Sequence, residues 1–173
     1  MTTELRILTV RHPWSHAIIW GEKDVENRVR NIAGSYRGPI AVHAAARVNP
    51  IHEWIDFERA HPHAARAVRN APGDLDTFGA IIGVVDLVDV HKCAGTPTNR
   101  PRCYKAKANG FTEAVKAGTG LCSPWADQFA ENHLVLANPR PLREPIQFRG
   151  ALGLRRLDDT TTAAVWSQIG ARP

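Results

Sequence analysis

The sequence predicts an α+β fold, a small β-barrel with flanking helices, and three observations carry that prediction. Arg6-Ile7-Leu8-Thr9-Val10 and Ile40-Ala41-Val42-His43-Ala44 are short runs with the β-branched character of strands. Phe78 to Val90 is longer and apolar on both faces apart from Asp86 and Asp89, as in the central strand of a closed barrel. Helix-start chemistry lies between them, with Pro13 ahead of one helical run and Asn49-Pro50 ahead of another.

The first helix is expected over the eight residues from Pro13 to Trp20, with Gly21 just past its end. Trp14, Ala17, Ile18 and Gly21 recur at helical spacing, so one face turns inward, while the first turn offers backbone N–H groups to phosphate. From Val25 to Arg30 the pattern changes to alternation. On an extended segment Glu26, Arg28 and Arg30 share a face, with same-face neighbours about 6.5 Å apart, and Lys23 precedes them. An ammonium, a carboxylate and a guanidinium in one crevice would meet an anionic ligand together; the plainer alternative is a solvated charged face.

These residues also carry a resemblance. His12-Pro13-Trp14 through Arg28, followed by Tyr36-Arg37-Gly38-Pro39-Ile40-Ala41-Val42-His43, resembles the signature of the ASCH family (activating signal cointegrator homology), whose fold is PUA-like. The family pattern G-x-K-x-x-E-x-R is met by Gly21, Lys23, Glu26 and Arg28. Residues 81 to 90 are similar to the family's second long strand, and His133 to Leu154 to its C-terminal hairpin. The resemblance covers residues 5 to 157, apart from insert-like stretches at 50–75 and 92–120. It implies one ASCH/PUA-like domain over 1–157, with 158–173 a C-terminal helix or tail. The family often has tryptophan where this chain has Arg155.

The remaining elements follow in order. Asn31 to Ser35 is a turn. His43 either lines the pocket beside the K-x-x-E segment, as the family implies, or is a hydrogen-bonded structural residue. The helix after Asn49-Pro50 is expected to bury Ile51, Trp54, Ile55 and Phe57. Pro62 breaks it, and a second piece runs to Asn70. His52, His61 and His63 lack the i, i+4 spacing of helical metal ligands. Asp86 either faces the pocket or pairs a buried arginine. Residues 91–120 read as a basic insert, loop-like from Thr96 to Arg102 and helical from Phe111 to Ala117. Ser123-Pro124-Trp125 repeats the helix-start chemistry, Pro-rich turns join three closing strands between His133 and Arg156, and Thr160 to Ile169 is a C-terminal helix.

The chain has 173 residues, 43% of them hydrophobic, which suits a globular protein with its own core. No apolar run approaches the roughly 18 residues of a membrane span, and the N-terminus lacks signal-peptide form. A cytoplasmic location is therefore expected, with no membrane partner and no cofactor. The net charge is +5, and one basic excess lies in the insert, where Lys92, Arg100, Arg102, Lys105, Lys107 and Lys116 face only Glu113.

The function expected from these features is nucleic-acid binding, to RNA or DNA, with a pocket for a nucleotide, nucleoside or modified base. Arg11, His12, Trp14, Lys23, Glu26, Arg28 and Arg30 would contribute from the first segment, and Tyr36, Arg37 and His43 from the next. Arg100, Arg102 and Lys105 would hold the backbone, and Trp125 with Trp14 would stack on a base. The alternative is a hydrolase of nucleic acid or modified nucleosides. Some ASCH members resemble N4-acetylcytidine amidohydrolases using K-x-x-T, and others are assigned ribonuclease activity. Lys23 matches that lysine, but Glu26 stands where the threonine hydroxyl would be. In an enzyme, Lys23 and Glu26 would be the catalytic pair, Glu26 as general base and Lys23 stabilising an oxyanion. A third reading makes the motif a salt-bridged barrel rim. For metal, none is expected by default; a minority alternative is a zinc held by His91, Cys93, Cys103 and Cys122, although no C-x-x-C pair is present.

Overall fold

The computed structural model describes residues 4–47, 50–72, 77–96, 99–106, 112–114, 120–127 and 129–170. The elements are β1 (Arg6–Val10), α1 (Trp14–Trp20), β2 (Val25–Arg28), β3 (Gly38–Ala44), α2 (Ile51–Ala60), α3 (Pro62–Arg69), β4 (Ala80–Thr96), β5 (Asn99–Ala106), β6 (Thr112–Ala114), β7 (Asn132–Gln147), β8 (Leu154–Arg156) and α4 (Asp159–Ile169). The main strand path is β2-β7-β4-β3-β1-β8, with β5 on β4 and β6 on β5. Mixed strands with four helices are the α+β class expected of a PUA-like chain. The residues group into two compact units, Met1–Lys23, Gly38–Asp86 and Asn138–Pro173 in the first, Asp24–Arg37 and Leu87–Ala137 in the second.

In the first unit β1 runs parallel to β3, from Arg6 opposite Ile40 to Val10 opposite Ala44, and antiparallel to β8. A parallel pair needs a long connection, which residues 11–37 supply. The core is Leu5, Ile7, Ala41, Ile81, Val84, Leu142, Leu157, Val165 and Trp166. Each large side chain removed from water there contributes about 1.5–3 kcal/mol. Val165 and Trp166 come from α4, so the C-terminal segment, expected as an appendage, is part of this core. Asp158 caps α4 by accepting from the Thr161 N–H at 2.8 Å.

Several expectations are corrected. Helix α1 begins at Trp14 with Pro13 at the cap. The Ser15 N–H of its first turn donates to the Arg11 carbonyl, and the Ala17 N–H makes the first regular helical bond, to the Pro13 carbonyl. Gly21 has φ −107, not a left-handed angle, and Glu22 takes the positive φ of 59 instead. What Gly21 supplies is closeness: a Cβ there would lie 2.9 Å from the Ala17 Cα and 3.2 Å from the Ala64 Cβ. In α2 only Phe57 is buried, while Ile51 is 73% exposed and Ile55 46%.

In the second unit the described residues of the segment expected as a loop, 96 and 99–102, are strand: β4 extends to Thr96, and β5 pairs with it, Lys92 opposite Tyr104 and Cys93 opposite Cys103. Of the helix expected from Phe111 to Ala117, Thr112–Ala114 is strand β6, and the other residues lie outside the described ones. Ser123 to Asp127 is a turn and not a helix start, closed by the Ala126 N–H on the Ser123 carbonyl. The Pro-rich turn expected between Ala137 and Ile146 is absent, because β7 continues through Pro139, Pro141 and Pro145 with Asn138 at φ 52. Proline ends a strand only where the ladder needs its N–H. Among the described residues no helix is long and apolar enough to cross a membrane.

Candidate functional site

In the second unit β2 lies antiparallel to β7, Glu26 opposite Leu134 and Asn27 opposite His133. Alternation sorts the side chains. Glu26 and Arg28 share one face, and the Arg28 Nη2 meets the Glu26 Oε1 at 3.0 Å, with the side chains only 28% and 10% exposed. Asn27 and His133 take the other face and hold the 123–127 turn. The Asn27 amide donates to the Trp125 carbonyl at 2.9 Å and its oxygen accepts the Asp127 N–H at 2.9 Å. His133 Nε2 meets the Asp127 carbonyl at 2.9 Å. Ser123 Oγ donates to the Asp24 carboxylate at 2.5 Å and accepts the Trp125 N–H at 3.0 Å. Asp24, Asn27 and His133 went unsingled in the sequence, because each acts on residues about a hundred positions away or within a turn whose shape is tertiary.

The same unit gathers His91, Cys103, Cys122 and His133, with one ligand atom of each within 4.8 Å of the others. His133 Nδ1 lies 3.2 Å from the Cys103 Sγ and 3.4 Å from the Cys122 Sγ, and the Cys122 N–H donates to the Cys103 Sγ at 3.2 Å. His91 Nδ1 is 3.6 Å from the Asp89 carboxylate. Burial first, and then the adjacent Cys103, push the Cys122 thiol up to about 12, so without a cation it stays protonated. His133, which the sequence reading did not include, thus stands with His91, Cys103 and Cys122 in this cluster. The Cys93 backbone stands opposite Cys103, but its side chain lies outside the described residues.

In the first unit Lys23 is buried, 4% exposed, and its N–H donates to the Ala17 carbonyl at 3.0 Å. Desolvation, and then the charge of Lys23, hold the His61 imidazole below its ordinary pKa. His12 stacks on Trp54 with ring centroids 5.4 Å apart and meets Phe78 edge-on. Its Nδ1 is 3.0 Å from the Nδ1 of His16. Trp14 is half-buried and edge-on to Phe57 at 5.0 Å. Arg11 is exposed and reaches Glu53 at 3.6 Å.

Other expected site residues have structural employment. His43 is 1% exposed with Nε2 on the Phe148 carbonyl at 2.9 Å, and a Cβ on Gly150 would come within 2.8 Å of its ring. It has a hydrogen-bonded structural role. Asp86 accepts from Arg140 at 2.5 Å and Asn138 at 2.8 Å, the buried-arginine role. The Arg37 Nη1 donates to the Tyr36 and Gly34 carbonyls, and its Nη2 is 3.8 Å from Asp89. Arg30 is exposed beyond the end of β2, and Tyr36 and Trp125 are half-buried. The side chains of Arg100, Arg102 and Lys105 lie outside the described residues.

No protein-family model and no curated protein matches the sequence. Among solved structures the chain is similar to the ASCH protein of Zymomonas mobilis, at 14% identity and a TM-score of 0.46, covering 94% of each chain.

Proposed function

We propose that this chain is a nucleic-acid-binding domain of ASCH type that engages a nucleotide or a modified base through Glu26 and Arg28. The observation that supports this reading best is the Glu26–Arg28 pair, two charged side chains largely withdrawn from water on one strand face. Burying charge is costly, and an exposed salt bridge would serve solubility as well. A guanidinium beside a carboxylate sets donors next to an acceptor, the pattern that base edges present.

The test is fluorescence anisotropy with labelled single-stranded and duplex RNA and DNA, at one fixed salt concentration. The wild-type chain is expected to bind at least one of them. Glu26→Ala with Arg28→Ala is expected to weaken binding 10-fold or more, since each lost charged contact is worth about 1–3 kcal/mol. Circular dichroism checks that the variant is folded. Unchanged affinity in a folded double variant removes the motif from the binding reading, and no binding by the wild type removes the reading itself.

A further inference from the structure

We propose that the second unit carries a structural zinc(II) site of the Cys2His2 kind, formed by His91, Cys103, Cys122 and His133. The four come from four separate segments: β4, β5, the turn at 120–123 and the start of β7. Nothing local brings them together, yet their ligand atoms fall within 4.8 Å of one another. A tetrahedral zinc with metal–sulfur near 2.3 Å and metal–nitrogen near 2.0 Å separates adjacent ligand atoms by about 3.3–3.8 Å. The sulfur–nitrogen distances of 3.2 and 3.4 Å are close to that spacing.

The tautomer of His133 argues for a cation over a mere hydrogen-bond cluster. A backbone carbonyl only accepts, so the 2.9 Å contact to the Asp127 carbonyl puts the proton on Nε2. The Nδ1 lone pair is then aimed at two sulfurs. One lone pair serves one S–H donor well, whereas a single cation takes both thiolates and the imidazole at once. Holding the remote ring nitrogen on a carbonyl is also how ligating histidines are oriented. The Cys122 N–H on the Cys103 sulfur stabilises a thiolate in the same manner. His91, buried beside His133 with ring centroids 5.9 Å apart, completes four ligands. Four protein ligands leave no open position for substrate, and the two-sulfur, two-nitrogen set suits zinc(II). The metal would bind β5 and the 120–123 turn to β4 and β7. On loading, two thiols become thiolates and two protons leave to solvent, with no change of oxidation state.

The experiment uses the full chain, purified under reducing conditions with any affinity tag removed. Elemental analysis is expected to find about one zinc per chain. Apo protein titrated with cobalt(II) is expected to give thiolate-to-metal charge transfer and tetrahedral ligand-field bands, saturating at one equivalent. Cys122→Ser is expected to halve the charge-transfer intensity, and His133→Ala to weaken metal binding at least 100-fold while both thiolates are kept. Cys93→Ser is expected to retain one equivalent. Zinc content below a tenth of an equivalent together with no cobalt–thiolate spectrum overturns the proposal, and so does a Cys103–Cys122 disulfide in the reduced preparation. Loss of metal in Cys93→Ser with retention in His133→Ala overturns this ligand set. The wild-type cobalt spectrum decides the matter even where a variant fails to fold, and it is independent of nucleic-acid binding.

Discussion

His16 shows how a single side chain links burial to pH. It is 2% exposed, with Nδ1 3.2 Å from the Ser15 hydroxyl as well as 3.0 Å from His12. Burial, and secondarily the neighbouring His12, lower its pKa from 6.5 to about 4. Above pH 6.5 the ring is neutral in folded and unfolded chains alike. As pH falls from 6.5 towards 4 the unfolded chain takes up the proton first, so stability drops, by about 3 kcal/mol at most. Urea denaturation at pH 7.5 and pH 4.5 measures the drop. His16→Gln should lessen it, and an equal drop in that variant would assign the loss to other groups. Asp86 is a second case, since it satisfies both Arg140 and Asn138. Asp86→Ala is expected to cost about 3 kcal/mol by stranding a guanidinium. Adding Arg140→Ala should cost less than the sum of the single changes, and simple additivity would show that the pair is not coupled.

Among elements, the approach of α1 to α3 depends on the missing side chain at Gly21. The atoms that a Cβ would meet belong to the Ala17 backbone and to the short Ala64, and neither can rotate aside. Gly21→Ala should therefore destabilise the fold by about 1–3 kcal/mol, read from the denaturation midpoint. An unchanged midpoint would mean that the helices separate freely. Strand β7 illustrates the opposite lesson about proline. Pro139, Pro141 and Pro145 have the composition of turns, but a 16-residue strand passes through all three. Helix α2 presents Ile51 and Ile55 outward although its apolar residues are spaced for a core.

For the molecule as a whole, the net charge of +5 bears on the proposed nucleic-acid partner. Each phosphate neutralised releases counterions, so affinity should fall with salt, with a log–log slope of about −0.7 per contact on single strands. Combined replacement of Arg100, Arg102 and Lys105 by alanine should make the slope less steep by about 2 if those residues hold phosphates. An unchanged slope, measured by anisotropy between about 50 and 200 mM salt, would assign the insert another role.

Local pattern alone determined β1, β3, α4, the α+β class and the common face of Glu26 and Arg28, because side-chain periodicity and caps are written within a few residues. Tertiary structure decided what those patterns could not hold. It placed the described residues of the insert largely in strands, gave Gly21 its neighbour in Ala64, turned His43 to a carbonyl 105 positions away, and set His133 beside the two thiols. Strand pairing and ligand clusters join residues distant along the chain, and spacing in sequence says nothing of which distant segments will meet.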